Sequence, residues 1–400
     1  MDDNDVPYVP MELVSNIIGV VVVISLCLWL GVAYRLWVIA RTKPTVREGL
    51  SLSEPESTSV SVIIPVHNEE RVIHVCASSL RNQSFKELQI IFVLDRCNDG
   101  TLEILKKHAK EDDRICIIEN DSCPEGWAGK CNAAKIGASK ATGKWMLFTD
   151  ADTIFDKELI KCAVASAIKR KAALLSLLST LTITKNFERI IQPIASTFLV
   201  RQFPVDRINR EQRPRPFANG QFLLFTNEMY TSIGGHVAVK EELLEDIAFA
   251  RIVHQAGGRV QVLFADGLLQ CSMYSTFEAF KQGWKRIYIE ASSRNVNRLF
   301  RSGVLVLIVS LFLPAVSIAG VVIGNANSPT LLWASAASLV ATAFVIGWIY
   351  FINKAPIIFA IFAPIGGFVV AKLFFDSASI LKNGTPISWG GREYILEPKT

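Results

Sequence analysis

The stretch Lys144-Trp145-Met146-Leu147-Phe148-Thr149-Asp150-Ala151-Asp152 decides how this chain is read. Four apolar residues run into two acids one residue apart. A short apolar run of this kind fits a buried strand, and ligands of open α/β sheets lie beyond the carboxyl ends of the strands. Residues i and i+2 of an extended segment point the same way, so Asp150 and Asp152 reach one site. Such acids suit a hard cation, Mg2+ or Mn2+, placed to neutralise a departing diphosphate. Taken alone, the pair fits a solvated turn just as readily.

The flanking sequence supplies context. VSVIIPV (60–66) and LQIIFVL (88–94) are further short β-rich runs, separated by the helical pattern EERVIHVCASSLRNQ (69–83). Strands alternating with helices predict an α/β domain with a mainly parallel sheet over residues 59–275. The first run opens into Pro65, His67, Asn68 and Glu69, the second into Asp95-Arg96-Cys97-Asn98-Asp99-Gly100-Thr101. A glycine-bracketed Lys130 opens a helix at 126–134. All three precede the acid pair in the order one crevice needs. Asp95 suits a base or ribose, and Lys130 a phosphate.

Of the 400 residues, 50% are hydrophobic and 20% charged, with a mean hydropathy of +0.32. Segregation of the apolar residues into membrane segments reconciles these values. Residues 12–40 carry Arg35 as their one charge and are long enough to span a bilayer. The acidic start and the absence of a small-residue cleavage site argue against a signal peptide. Arg41, Lys43 and Arg47 follow the run, which places residues 1–11 outside and the chain from 41 onward in the cytosol. Residues 41–58 read as a linker. Residues 276–301 mix Phe277, Phe280, Trp284 and Tyr288 with lysines and arginines, the pattern of an amphipathic helix lying on a membrane surface or packed on the domain. A second such segment is 187–203, followed by Arg207, Arg210, Arg213 and Arg215. Apolar runs at 303–324, 330–352 and 356–375 form a C-terminal bundle over 302–375, and 376–400 is the tail. Pro364, Gly366 and Gly367 interrupt the last run, which either spans or dips in and returns.

The formal net charge of +5 is too modest to indicate a nucleic-acid partner. The eight cysteines contain no C-x-x-C pair and suit reduced thiols in a cytosolic domain. His74, His108, His236 and His254 fit no zinc spacing.

PVHNEE, LDRCNDGT, the GWAGK segment and TDAD resemble, in order, the motifs of the family 2 glycosyltransferases, a family of GT-A fold. Gly220-Gln221 in FANGQFLLF and Glu245-Asp246 in ELLEDIAFARIVHQAG extend the resemblance, which covers roughly residues 59–290. It implies a nucleotide-sugar set of Pro65, His67, Asn68, Glu69, Asp95, Lys130 and Asp150. It implies donor and metal acids at Asp150 and Asp152, an acceptor side at Gly220 and Gln221, and a general base at Asp246 beside Glu245. A hydroxyl acceptor needs such a base; alternatively, the two acids are dipole-favoured residues at a helix start. Gln282-Gly283-Trp284-Lys285-Arg286 departs from the related Q-x-x-R-W signature, which argues against a processive polymerase. Gln282 and Arg286 remain candidates for the donor diphosphate, and Trp284 for the acceptor side. The membrane layout and the tail Ile387-Ser388-Trp389-Gly390-Gly391-Arg392-Glu393-Tyr394 resemble hopene-associated and carotenoid glycosyltransferases and ceramide glucosyltransferase. The implied activity is inverting transfer of a hexose from a nucleotide-sugar, UDP by default, to a hydroxylated membrane lipid. A polyprenyl-phosphate glycosyltransferase, a polysaccharide synthase and a non-catalytic membrane scaffold are the alternatives.

Overall fold

The structure, a computed structural model, describes residues 10–53, 58–210, 216–242, 244–389 and 392–398. Most of the segment 1–11 expected to be external, with Arg213, Arg215 and the tail's Gly390-Gly391, therefore lies outside the described residues.

The strands are β1 (Val60–Val66), β2 (Leu88–Asp95), β3 (Ile115–Asn120), β4 (Trp145–Phe148), β5 (Thr153–Phe155), β6 (Leu174–Leu178), β7 (Thr180–Leu181), β8 (Leu223–Thr226), β9 (Val260–Phe264) and β10 (Leu269–Cys271). Successive side chains of a strand face opposite sides, and the central strands put apolar residues on both. Val60, Val62 and Ile64 of β1, with Ile90 and Phe92 of β2, build one core. Ile63, Ile91 and Val93 build the other, against Ala133 and Ala134 of helix Gly129–Ala138. Burial on both faces is what a parallel sheet requires.

The main sheet runs β3-β2-β1-β4-β8-β6-β9. Strand β8 is antiparallel to both neighbours, and the other pairs are parallel. A small sheet, β5-β10-β7, lies just past the end of β4. This is the α/β arrangement with a mainly parallel sheet that the sequence predicts.

Among the described residues, four helices are long and apolar enough to cross a membrane: Met11–Thr42, Val296–Ala326, Pro329–Ile352 and Ile357–Asn383. Buried hydroxyls tie three of them together. Ser338 Oγ bonds Ser25 Oγ and Ser317 Oγ, each at 3.0 Å. In the fourth, glycines permit close approach. A Cβ at Gly303 would lie 2.7 Å from the Phe375 ring, and Gly367 packs on Ser310. Helix Ala363–Asn383 therefore runs antiparallel to Val296–Leu307.

The segment 276–301 is not one surface helix. Helix Phe277–Ala291 ends at Ser292, and Ser293 and Arg294 take left-handed backbone conformations before the next helix starts at Val296. Its aromatic stripe faces protein. Phe280, Trp284 and Tyr288 are buried, and Tyr288 stacks on Phe374 at 3.9 Å. The segment 187–203 behaves alike: Ile191, Ile194 and Ala195 of helix Asn186–Gln202 join the same cluster. Helix Ala363–Asn383 covers both apolar faces, so neither needs lipid to bury it. The tail forms a hairpin of β11 (Ile387–Trp389) and β12 (Arg392–Tyr394), and Ile387 and Leu396 bury in this cluster too.

Candidate active site

The loops leaving β1 and β2 lock together. Asn68 takes a φ of 56°, a left-handed conformation asparagine tolerates better than most residues. Its Oδ1 accepts the Asn98 amide at 2.9 Å. The Glu69 amide donates to Thr101 Oγ1 at 3.0 Å, and the Glu70 amide to Asp99 Oδ2 at 3.1 Å. His67 Nδ1 lies 2.6 Å from the Asp95 carbonyl oxygen. Pro65 is the one residue of β1 that is not fully buried.

Asp95 ends β2 with its carboxylate already engaged. It accepts from Arg96 Nη2 at 2.5 Å, Arg96 Nε at 3.1 Å and Asn120 Nδ2 at 2.9 Å. Gly129 packs closely here: a Cβ would lie 2.9 Å from both Asp95 Oδ2 and Arg96 Nη2, so the pair would have to shift. Sequence reading missed Arg96 and Asn120, whose roles arise from parallel pairing of β2 with β3, where Asp95 sits opposite Asn120.

One residue past Gly129, Lys130 joins the distant acids. Its Nζ lies 2.7 Å from Asp150 Oδ1 and 2.8 Å from Glu245 Oε1. Burial alone would lower the lysine's pKa; the two carboxylates hold it well above its ordinary value. Next to Glu245, Asp246 accepts the Gly220 amide on Oδ2 and the Ile247 amide on Oδ1, both at 2.7 Å. A Cβ on Gly220 would lie 3.3 Å from both Asp246 Oδ2 and Lys130 Nζ. Lys130, Asp150, Gly220, Glu245 and Asp246 thus converge from four separate stretches of chain.

Burial pushes three acids up. Asp246 rises to about 7 from burial and then from Glu245, with Lys130 opposing. Asp152 rises to about 7 from burial and then from Asp150. Glu69 rises to about 7 from burial, then from Asp150 and Asp99. Asp152 Oδ1 is buried with no hydrogen-bond partner, which fits an oxygen meant for a cation or a donor group. Among the described residues no three His, Cys, Asp or Glu side chains are grouped to hold an ion. A cation bound at Asp150 and Asp152 would therefore need further oxygens, which a diphosphate carries.

Not all the expected residues meet here. Gln282 Nε2 bonds Glu278 Oε1 at 2.9 Å along its own exposed helix face. Trp284, expected on the acceptor side, is 2% exposed, with Nε1 donating to Gln192 Oε1 at 3.4 Å. Its place in the stripe Phe280–Trp284–Tyr288 turns it into the core. Arg286 lies on the same helix, near Tyr274. Gln221 follows Gly220, but its side chain is buried. Its Nε2 donates to Cys271 Sγ at 3.0 Å. No sequence pattern marks Cys271.

The Glycosyl transferase family 2 model matches residues 61–246. The 4,4'-diaponeurosporenoate glycosyltransferase of Staphylococcus haemolyticus is 24% identical over 60% of this chain and 64% of its own. The GalNAc(5)-diNAcBac-PP-undecaprenol beta-1,3-glucosyltransferase of Campylobacter jejuni is 31% identical over 28% of this chain and 34% of its own. This chain thus spans less than two thirds of either relative's length. Among solved structures, the Pyrobaculum calidifontis mannosyltransferase PcManGT, in complex with GDP-Man and Mn2+, aligns with a TM-score of 0.47 at 14% identity, over 91% of this chain and 98% of that one. The α/β GT-A class expected from the motifs agrees with the mainly parallel sheet and the apolar helices at both ends of the chain. Residues 61–246 thus form a glycosyl transferase family 2 domain.

Proposed function

We propose that this protein is an inverting, metal-dependent glycosyltransferase that moves a hexose from a nucleotide-sugar, UDP-linked by default, to a hydroxyl group of a membrane lipid at the cytosolic face. The carrying observation is the convergence of Lys130, Asp150, Gly220, Glu245 and Asp246 at the carboxyl ends of the sheet strands. The loops of His67, Asn68, Glu69 and Asp95 form the nucleotide side of that crevice.

The amides of Gly220 and Ile247 orient the Asp246 carboxylate. Unprotonated, Asp246 takes the acceptor hydroxyl's proton as its oxygen attacks the anomeric carbon. One displacement inverts that carbon. Lys130, held between Asp150 and Glu245, supplies a fixed positive charge beside the leaving diphosphate. Asp150 and Asp152 would hold Mg2+ or Mn2+, which when bound neutralises charge on the diphosphate. The buried, partnerless Asp152 Oδ1 supports that fit.

Membrane placement follows the charges. Arg41, Lys43 and Arg47 follow the first apolar helix and favour a cytosolic domain. Helix Ala363–Asn383 runs antiparallel to the helix leaving the domain, and the tail hairpin packs with the domain-side cluster. We read 356–375 as dipping in and returning, with the tail on the catalytic side. The names of the two curated relatives carry a diaponeurosporenoate and an undecaprenol-linked acceptor, in line with a lipid acceptor here.

The test is lipid mass spectrometry of cells with and without the gene, paired with labelled nucleotide-sugars on isolated membranes. A glycolipid that depends on the gene and vanishes in Asp246→Asn names sugar and acceptor together. Absence of labelled lipid with every UDP- and GDP-hexose tried would defeat the reading. A phosphate acceptor needs no general base, so unchanged turnover in Asp246→Asn would favour a polyprenyl-phosphate substrate.

A further inference from the structure

We infer that Thr149 is a positioning residue for Asp246: its hydroxyl pins the turn whose Gly220 amide holds that carboxylate. The inference rests on the base role proposed for Asp246.

The turn is closed by its own backbone. The Phe222 amide donates to the Asn219 carbonyl at 3.1 Å, drawing Asn219-Gly220-Gln221-Phe222 into a tight loop. Ser176 Oγ accepts the Asn219 amide at 2.8 Å and fixes the first residue. Inside the loop, the Gly220 amide donates to Asp246 Oδ2 at 2.7 Å. The far end hangs on Thr149. Pairing of β4 with β8 ends at Phe148 opposite Leu223. One residue beyond, a side chain takes over from the ladder: Thr149 Oγ1 donates to the Gln221 carbonyl at 2.7 Å.

The same residue is anchored to the donor side. Its amide donates to the Ile63 carbonyl of β1 at 3.2 Å, and Asp150 follows it directly in the chain. Thr153 Oγ1 donates to the Asp150 carbonyl at 2.7 Å and closes the acid segment from its other end. A hydroxyl has one hydrogen to give. The two 2.7 Å bonds claim those of both threonines, so the 3.1 Å approach of Thr149 Oγ1 to Thr153 Oγ1 is packing. Thr149, Thr153 and Gln221 are all buried, so water does not readily replace a lost donor. Thr149 thus carries the strand of the acid pair on its backbone and the turn of the base on its side chain. Without the hydroxyl, the Gln221 carbonyl loses this donor and the turn is free to draw the Gly220 amide away from Asp246.

Two measurements on the full-length protein test this. Hydrogen exchange over residues 218–224, in detergent, needs no substrate. In Thr149→Val, which keeps the shape and removes the hydroxyl, that segment should exchange about tenfold faster, the loss of one hydrogen bond. Turnover is followed as label passing from a UDP- or GDP-hexose into lipid on isolated membranes. Thr149→Val should lower kcat about tenfold with donor KM nearly unchanged. Thr149→Ser, which keeps a donor, should recover both readouts. In an Asp246→Asn background, Thr149→Val should cost no more than about twofold further. If Thr149→Val does not fold, Ser176→Ala, which loosens the other end of the turn, carries the exchange and background comparisons. Unchanged exchange and kcat in Thr149→Val, with kcat lost in Asp246→Asn, would overturn the positioning role and leave the base role standing. Equal defects in Thr149→Val and Thr149→Ser would also overturn it, since packing alone would then explain both. So would a full cost of Thr149→Val in the Asp246→Asn background, which would place its effect elsewhere. Full turnover in Asp246→Asn would overturn both readings.

Discussion

Lys130 Nζ lies 2.8 Å from Glu245 Oε1, joining the start of one helix to the start of another. The same ammonium holds Asp150 at 2.7 Å. One cation thereby links the acid at the end of β4 to the residue beside the proposed base.

Lys130→Met should remove transfer activity and cost stability. It leaves Glu245 buried without its cation, a loss of about 3 kcal/mol for a broken buried pair. Melting temperature in detergent and turnover on isolated membranes check both. A melting temperature equal to that of the unsubstituted protein would show that the bridge contributes little.

Asp246→Asn should lower kcat by roughly 10^2- to 10^4-fold with little change in donor KM. The unprotonated carboxylate is the working form, and burial raises its pKa to about 7. The rate should therefore fall as pH drops below about 7, and Asp246→Asn should lack that limb. A flat profile from pH 5 to 8 in the unsubstituted enzyme would remove Asp246 from the role.

Glu69, Asp152 and Asp246 all sit near 7 in the folded protein. The folded state thus keeps protons that the unfolded chain releases near pH 4. Their contribution to stability is complete below that value and is lost as pH rises through about 7. Mn2+ at Asp150 and Asp152 competes with the Asp152 proton, so it should raise the melting temperature more at pH 8 than at pH 5. Equal shifts at both values would separate the cation from these acids.

Gly129→Ala should weaken nucleotide binding. The new methyl would sit 2.9 Å from Asp95 Oδ2 and Arg96 Nη2, forcing the pair apart. We expect a rise of about tenfold in UDP Kd, or about 1.4 kcal/mol, by calorimetry. An unaltered Kd would detach the Asp95–Arg96 pair from the nucleotide.

Gly366→Leu should loosen the membrane bundle, because a Cβ there would lie 2.6 Å from the Ile190 carbonyl oxygen. Overpacking of this kind costs about 1–3 kcal/mol, visible as a lower melting temperature. Full stability would show that the helices can part at that point without loss.

Periodicity and strand-end chemistry pointed to the sheet, the acid pair and Lys130, because those signals are local, whereas Glu245-Asp246 came from the family resemblance. The near-continuous apolar run from Val60 to Val66 buries both faces of its strand. The first apolar run, expected at 12–40, is the helix Met11–Thr42. What covers a face is not local. Phe280, Trp284 and Tyr288 make the same stripe whether lipid or protein buries it, and only the packing of helix Ala363–Asn383 decided for protein. Sequence reading gave Lys130 a phosphate and Gln221 an acceptor. Tertiary structure gave the lysine two carboxylates and turned the glutamine inward to Cys271. Hydrogen bonds and ion pairs act over a few ångströms, so their partners are set by which loops the folded sheet brings together, and spacing along the chain carries no record of that.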